Sequence, residues 1–285
     1  MIPPFDYKIP KTLQEACDFL SEADGKAKVI AGGTDLVISL RQGEQSPPLL
    51  IDIAHLKELR GIEESDGVLS IGAAVSHSEI ASSPLVRQYA DILSDAVAQI
   101  GSPQIRNLGT IGGNIVNASP AADSLPPLLV LNATGTVVSQ QGEREVSVAD
   151  LIRGPYETAL QPHEILARIS FEKLSTDMRT GFVRLARREA MAITRISVAL
   201  LARMEGGRIR DIRIAPGAVL PIHQRLEEVE KFLIGKFPDE VLLRTASQKV
   251  SEAMINRSGV RHSTFYKAPV VEALFVRAIR LALAG

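Results

Sequence analysis

Gly101-Ser-Pro-Gln-Ile-Arg-Asn-Leu-Gly-Thr-Ile-Gly-Gly-Asn-Ile-Val-Asn-Ala-Ser-Pro-Ala-Ala-Asp123 is poor in large side chains and rich in Gly, Ser, Thr and Asn. Apolar, helix-like segments flank it at 92–100 and 124–131. Glycine permits positive φ and leaves backbone N–H groups uncovered, while Thr110, Asn114 and Asp123 add side-chain hydrogen bonds. Such a stretch suits a loop wrapped around a ligand bearing phosphates and hydroxyls. An irregular Gly-rich surface loop would read the same way. A second glycine pair elsewhere in the chain favours the ligand.

That pair lies in Lys28-Val-Ile-Ala-Gly-Gly-Thr-Asp-Leu36. Lys28 to Ala31 reads as a short buried strand and Gly32-Gly33 as a tight turn. Thr34 or Asp35 then caps a helix running to Arg41. Strand, turn and helix start together aim free N–H groups and the positive end of a helix dipole at one point, which suits a phosphate. Neither G-x-G-x-x-G nor G-x-x-x-x-G-K-[ST] occurs, so this is not a Rossmann turn or a P-loop.

The 285 residues exceed one ordinary core, so two or three subdomains are expected. Net charge is −1 with Lys and Arg dispersed, which argues against nucleic acid or an anionic membrane as partner. No apolar run is long enough to span a bilayer, and Met1-Ile-Pro-Pro-Phe-Asp6 is unlike a signal peptide; a cytoplasmic protein is expected. One cysteine, Cys17, excludes an internal disulfide and a cysteine-ligated zinc or iron–sulfur site within this chain. No metal site and no catalytic acid–base residues are expected.

Taken in order, Thr12-Leu-Gln-Glu15 is a capping box before a stripe of Leu13, Ala16, Cys17 and Leu20, which makes Cys17 a core thiol. Strands are expected at 49–52, 59–62 and 68–72. Ser76-His-Ser-Glu79 is a second capping box, with His77 as a surface residue of the first turn. His55, His163, His223 and His262 stand singly and suit solvated or capping roles. A hairpin is expected over 136–147, and alternation over 164–171 places Ile165, Ala167, Ile169 and Phe171 on one strand face. The polar run 173–180 suggests a boundary. Beyond it come strands at 182–186, 195–204 and 208–215, the last two joined at Gly206-Gly207. Three helices follow, carrying Leu226, Val229 and Leu233, then Leu242 to Ala253, then Val271 to Ile279.

The pair Ala31-Gly-Gly-Thr-Asp35 and Thr110-Ile-Gly-Gly-Asn114 resembles the two flavin-binding motifs of the xanthine dehydrogenase and carbon monoxide dehydrogenase family. The match is to the medium, FAD-binding subunit of molybdenum hydroxylases. It extends to Phe5-Asp-Tyr7, Gln104-Ile-Arg-Asn107, Ala118-Ser-Pro-Ala-Ala-Asp123, Phe182-Val-Arg-Leu-Ala-Arg-Arg188 and Arg261-His-Ser-Thr-Phe-Tyr266. The resemblance implies an α+β protein with a PCMH-type FAD-binding fold. Two α/β subdomains, 1–55 and 56–175, would clasp FAD, and a C-terminal α+β domain of antiparallel strands and helices, 176–285, would close over it.

By the same resemblance, Lys28, Val29, Ile30, Ala31, Gly32, Gly33, Thr34, Asp35 and Leu36 run along the adenosine diphosphate part of FAD. Gly101 and the run Thr110, Ile111, Gly112, Gly113, Asn114 add donors to the pyrophosphate and ribityl groups. Asp123 takes a cofactor hydroxyl, although helix N-capping is a rival role for it. Leu166 fits a position that packs on the cofactor, and Arg184 falls where many relatives carry lysine near the flavin. Some relatives place acidic residues where this chain has Ala190 and Met191, which leaves a nicotinamide site and the terminal acceptor open. The implied function is electron transfer: [2Fe–2S] clusters on a small iron–sulfur subunit and molybdopterin on a large subunit, in a dimer of heterotrimers. Two other readings are a self-sufficient FAD reductase of the same fold and a nucleotide-binding protein without a redox role.

Overall fold

The computed structural model describes residues 4–186 and 193–284, in three layers along the chain. The first holds β1 (Asp6–Lys8), α1 (Leu13–Glu22), β2 (Ala27–Ile30), α2 (Leu36–Gln42) and β3 (Leu49–Asp52). Its strands form a parallel sheet in the order β1-β3-β2, with Tyr7 opposite Leu50 and Val29 opposite Ile51. Thr12 caps α1 by accepting the Glu15 N–H, and Ala16, Cys17 and Leu20 are buried. The Glu15 carboxylate accepts from the Lys11 N–H, one residue before the cap, so the box is shifted from its expected closure. Because β2 lies at the sheet edge, it is half-buried rather than buried as the sequence suggests.

The second layer is a five-stranded antiparallel sheet, β4-β5-β10-β6-β7, with helices between its strands. Its elements in order are β4 (Ile62–Ser65), β5 (Val68–Gly72), α3 (His77–Ser82), α4 (Pro84–Tyr89), α5 (Asp91–Val97), α6 (Pro103–Leu108), α7 (Ile111–Asn117) and α8 (Leu125–Val130). Then come β6 (Thr134–Ser139), β7 (Gly142–Ser147), α9 (Val148–Leu151), the short pair β8 (Ile152–Gly154) and β9 (Glu157–Thr158), and β10 (Ile165–Glu172). The strand expected over 59–62 is instead a 3-10 turn at Lys57–Leu59 followed by β4. There the chain passes so close to β5 that a β-carbon on Gly72 would stand 2.3 Å from the Leu59 carbonyl oxygen.

β10 departs from its simple alternation. A register shift between Leu166 and Arg168 turns the start of the strand over. Ile169 and Phe171 therefore join the helix-covered core of the second layer, with Leu166. Ile165 and Ala167 face the first layer beside Ala16, Cys17 and Ile51.

The third layer is the antiparallel sheet β11 (Met178–Ala186), β12 (Thr194–Glu205) and β13 (Arg208–Gly217), followed by α10 (Glu227–Leu233), α11 (Glu240–Ser258) and α12 (Thr264–Ala284). Gly206 and Gly207 both have positive φ, 56° and 77°, as a two-residue hairpin turn requires. β11 begins inside the expected boundary segment, and Leu226 stands at the N-cap of α10 rather than within it. One face of the sheet packs on α10, α11 and α12 through Val198, Leu200 and Ile214. The other presents Ala199, Leu201 and Ala215 to α8 and the middle layer. The seam between these two layers is where the polar residues of interest collect.

Candidate functional site

The fold brings the first glycine pair against Leu108 and Gly109, just before the second pair in the chain. A β-carbon on Gly32 would stand 1.9 Å from the Leu108 carbonyl oxygen, so the β2–α2 loop lies directly on the end of α6. One placed on Gly109 would stand 3.5 Å from Thr34 Oγ1. Gly33, at φ +67°, makes the turn into α2. Asp35 occupies the N-cap position of α2 without a side-chain capping bond. Among the described residues no acceptor takes the N–H groups of Gly32, Gly33, Thr34 or Asp35. Four consecutive open donors at a glycine turn form an anion-binding concavity.

The second glycine pair differs from its sequence reading. The stretch 101–123 is largely helical, and Gly112 and Gly113 lie in the first turn of α7 rather than in a tight turn. The Ile111 N–H donates to the Val75 carbonyl at 3.0 Å and that of Gly112 to Ala73 at 2.9 Å. The Gly113 N–H donates to Thr110 Oγ1 at 3.1 Å. The backbone donors expected there are thus consumed by the protein. Glycine at 112 is needed for packing, since a β-carbon would lie 2.6 Å from Ala73 Cβ. Asn114 Oδ1 accepts from the Ser124 hydroxyl at 2.6 Å, which leaves the amide NH2 as its donor. Gly101, at φ +50°, turns the chain into α6.

Asp123 is the most constrained polar group of the seam. It is 5% exposed, and its Oδ2 accepts from the Thr194 hydroxyl at 2.6 Å and lies 3.1 Å from Arg184 Nε. Arg184 also donates to Thr194 Oγ1 and to the Gln99 carbonyl. A register shift between Leu185 and Ala186 sets Thr194 opposite Ala186 and so onto the face that carries Arg184. Asp123 Oδ1 is buried with no hydrogen-bond partner among the described residues. Burial pushes this carboxyl up to about 6, outweighing the opposing pull of Arg184 and Thr194. The capping role does not hold: the N-cap of α8 is Ser124, and it makes no side-chain capping bond. Leu166 lies in the middle-layer core, 4% exposed, with its side chain filling the space over Gly135.

Several residues at the seam escaped sequence reasoning. Thr194, Gln99 and Ser197, whose buried hydroxyl has no partner among the described residues, belong to no motif. His77 occupies the first turn of α3 behind the expected capping box, but it is 2% exposed rather than at the surface. The 101–123 segment folds over it, with the His77 N–H donating to the Gly109 carbonyl. Burial and the nearby Arg106 charge push the imidazole down to about 4, so it is neutral. His223 is buried too, its Nε2 3.0 Å from the Ser119 carbonyl oxygen, rather than solvated. Ala190 and Met191 lie outside the described residues. A groove of about 570 Å³ lined by Asn132, Gln224, Arg225 and Arg257 includes neither Asp123 nor any residue of the Gly32 turn. The two arginines are engaged there with Glu230, Asn132 and Glu228, so that groove presents no open chemistry.

Residues 3–171 match the family model described as the FAD binding domain in molybdopterin dehydrogenase. The chain belongs to that family. Residues 182–282 match the CO dehydrogenase flavoprotein C-terminal domain. The glyceraldehyde dehydrogenase medium chain of Sulfolobus acidocaldarius is 36% identical, over 98% of this chain and 99% of the relative. The nicotinate dehydrogenase FAD-subunit of Eubacterium barkeri is 30% identical, over 95% and 93%. Among solved structures, carbon monoxide dehydrogenase from Hydrogenophaga pseudoflava superposes with a TM-score of 0.94 at 28% identity, covering 100% of this chain and 99% of that one. Quinoline 2-oxidoreductase from Pseudomonas putida 86 gives 0.93 at 32%, with the same coverage. The chain is therefore an FAD-binding subunit of the molybdenum hydroxylase type of dehydrogenase, and its resident cofactor is FAD. The open N–H groups of the Gly32 turn and the orphaned Asp123 Oδ1 fit a ligand with phosphates and hydroxyls. No helix among the described residues is long and apolar enough to cross a membrane.

Proposed function

We propose that this chain is the electron-transfer subunit of a cytoplasmic molybdenum hydroxylase, assembled with a small iron–sulfur subunit and a large molybdenum-cofactor subunit as a dimer of heterotrimers. It accepts electrons that originate in oxidation of a purine, heteroaromatic, aldehyde or similar substrate on the large subunit, and it delivers them to an external acceptor. The orphaned, buried Asp123 carboxylate oxygen at the seam carries the reading, because it requires a donor that the described residues do not supply. FAD, when bound, supplies the redox chemistry, so acid–base residues are not needed on this chain. The N–H groups of Gly32 to Asp35 would hold the pyrophosphate, and the Asn114 amide and Asp123 Oδ1 would hold ribityl hydroxyls. Arg184 keeps Asp123 in place and puts a positive charge beside the cofactor. One buried cysteine cannot ligate a cluster, so the clusters belong to a partner.

Reconstitution tests this. The purified chain loaded with FAD should keep its oxidised-flavin absorbance when offered candidate purines, heteroaromatics or aldehydes. It should bleach when the cluster-bearing and molybdenum subunits are added with substrate. Turnover by the lone chain would make it a self-sufficient reductase, and failure to take up FAD would leave a nucleotide-binding role.

A further inference from the structure

Three cations meet at the turn that follows β13. Lys267 Nζ donates to the Ala218 carbonyl at 2.6 Å, with Ala218 itself at φ +61°. Arg261 Nε donates to the Ser258 carbonyl at 3.0 Å, and the Ser258 hydroxyl donates to the Val219 carbonyl at 2.8 Å. The hydrogen bonds thus tie Lys267 and Arg261 to two consecutive residues of one turn. Arg195 of β12 completes the group: it stands two residues before Ser197, which pairs with Gly217 at the head of this turn, and its charge and that of Arg261, with partial burial, lower the affinity of Lys267 for its proton.

Among the described residues no carboxylate answers them. Among the described residues none of the three makes an ion pair, whereas Arg144, Arg225, Arg257 and Arg280 each do. The first turn of α12, which starts at Thr264, contains no acidic residue. Cations at the positive end of a helix are there at an electrostatic cost. A chain of net charge −1 had carboxylates available to neutralise the cluster, so its bareness calls for a ligand. Two guanidinium groups and an ammonium are the donor set that phosphate oxygens match.

We propose that Arg195, Arg261 and Lys267 form an anion site for a phosphate-bearing ligand, separate from the glycine-turn cradle. The site uses no residue of the glycine-turn cradle; because FAD is loaded first, failure to take up FAD is read separately, as failure of the flavin reading, before any phosphate is added.

The test is calorimetric titration of the full chain, saturated with FAD so that the cradle is filled, with inorganic pyrophosphate and separately with ADP at low salt. The wild type should bind one pyrophosphate per chain. Arg195→Gln removes a side chain that makes no hydrogen bond among the described residues, so it tests the site without disturbing the turn. It and Arg261→Gln should each weaken binding about tenfold or more. Arg210→Gln, on the β12–β13 hairpin, should change nothing. ADP binding more tightly than pyrophosphate would assign the site to a nucleotide, and equal affinity would assign it to phosphate itself. Pyrophosphate and ADP both binding more weakly than about 1 mM, or binding unaltered by Arg195→Gln and Arg261→Gln, would overturn the proposal.

Discussion

Asp123→Asn isolates the central group of the seam. In the wild type, Oδ2 is held by the Thr194 hydroxyl at 2.6 Å and Arg184 Nε at 3.1 Å, while Oδ1 waits for a donor. A cofactor hydroxyl donating to an ionised carboxylate is worth about 1.5–3 kcal/mol, or roughly ten- to a hundred-and-fifty-fold in FAD affinity. The amide keeps the shape and loses the charge, so the variant should bind FAD more weakly by about that factor at neutral pH. A pH signature accompanies it. The free carboxyl titrates at about 6, above its ordinary 3.8, because burial opposes its charge. Cofactor binding to the ionised form is therefore complete above that value and is lost as pH falls through it, by about tenfold per unit. The same raised value makes the ionised form a burden on the cofactor-free fold. By itself it lowers apoprotein stability as pH rises through about 6 and relieves it on acidification. His77 stays neutral through this window, since it titrates near 4. Flavin-fluorescence titrations between about pH 5 and 8 read the affinity, and thermal melts of the apoprotein over the same range read the stability. The wild type should weaken on acidification and the Asn variant should be flat. A wild-type affinity independent of pH, or equal affinities for the two proteins at pH 7, would refute the role given to Asp123.

Gly112→Ala should lower the melting temperature of the apoprotein as well as flavin content, by roughly 1–3 kcal/mol of stability, because its β-carbon would meet Ala73 at 2.6 Å in a packed core. Differential scanning calorimetry of the apoprotein checks it. Gly32→Ala should spare the melting temperature yet release flavin on gel filtration, since the clash with the Leu108 carbonyl lifts a surface loop off α6. Cys17, buried and with its thiol pushed up to about 11, should resist alkylation in the native protein at pH 8 and react only on unfolding, as followed by mass spectrometry.

The local elements were largely legible from the residues. β3 and β5 follow their apolar runs, α2 ends where Gly43 turns left-handed, and the Gly206-Gly207 hairpin sits between two alternating strands. These depend on propensity, turn chemistry and periodicity over a few neighbours. The first glycine pair was legible for the same reason. The second was read for the right place with the wrong geometry, because small residues suit a helix pressed against Ala73 as well as a loop around a phosphate. Nothing local distinguishes the two.

The sequence by itself determined the order of strands, turns and helices, the glycines that permit close backbone approach, and the absence of cysteine ligands for a cluster. Tertiary structure alone decided which polar groups lack partners. Hydrogen-bond satisfaction depends on what long-range packing brings within about 3 Å. It spent the N–H groups of Ile111, Gly112 and Gly113 on the protein while leaving those of Gly32 to Asp35 open. It buried His77, and it joined Asp123 to Arg184 and to Thr194, the latter across 71 positions of chain.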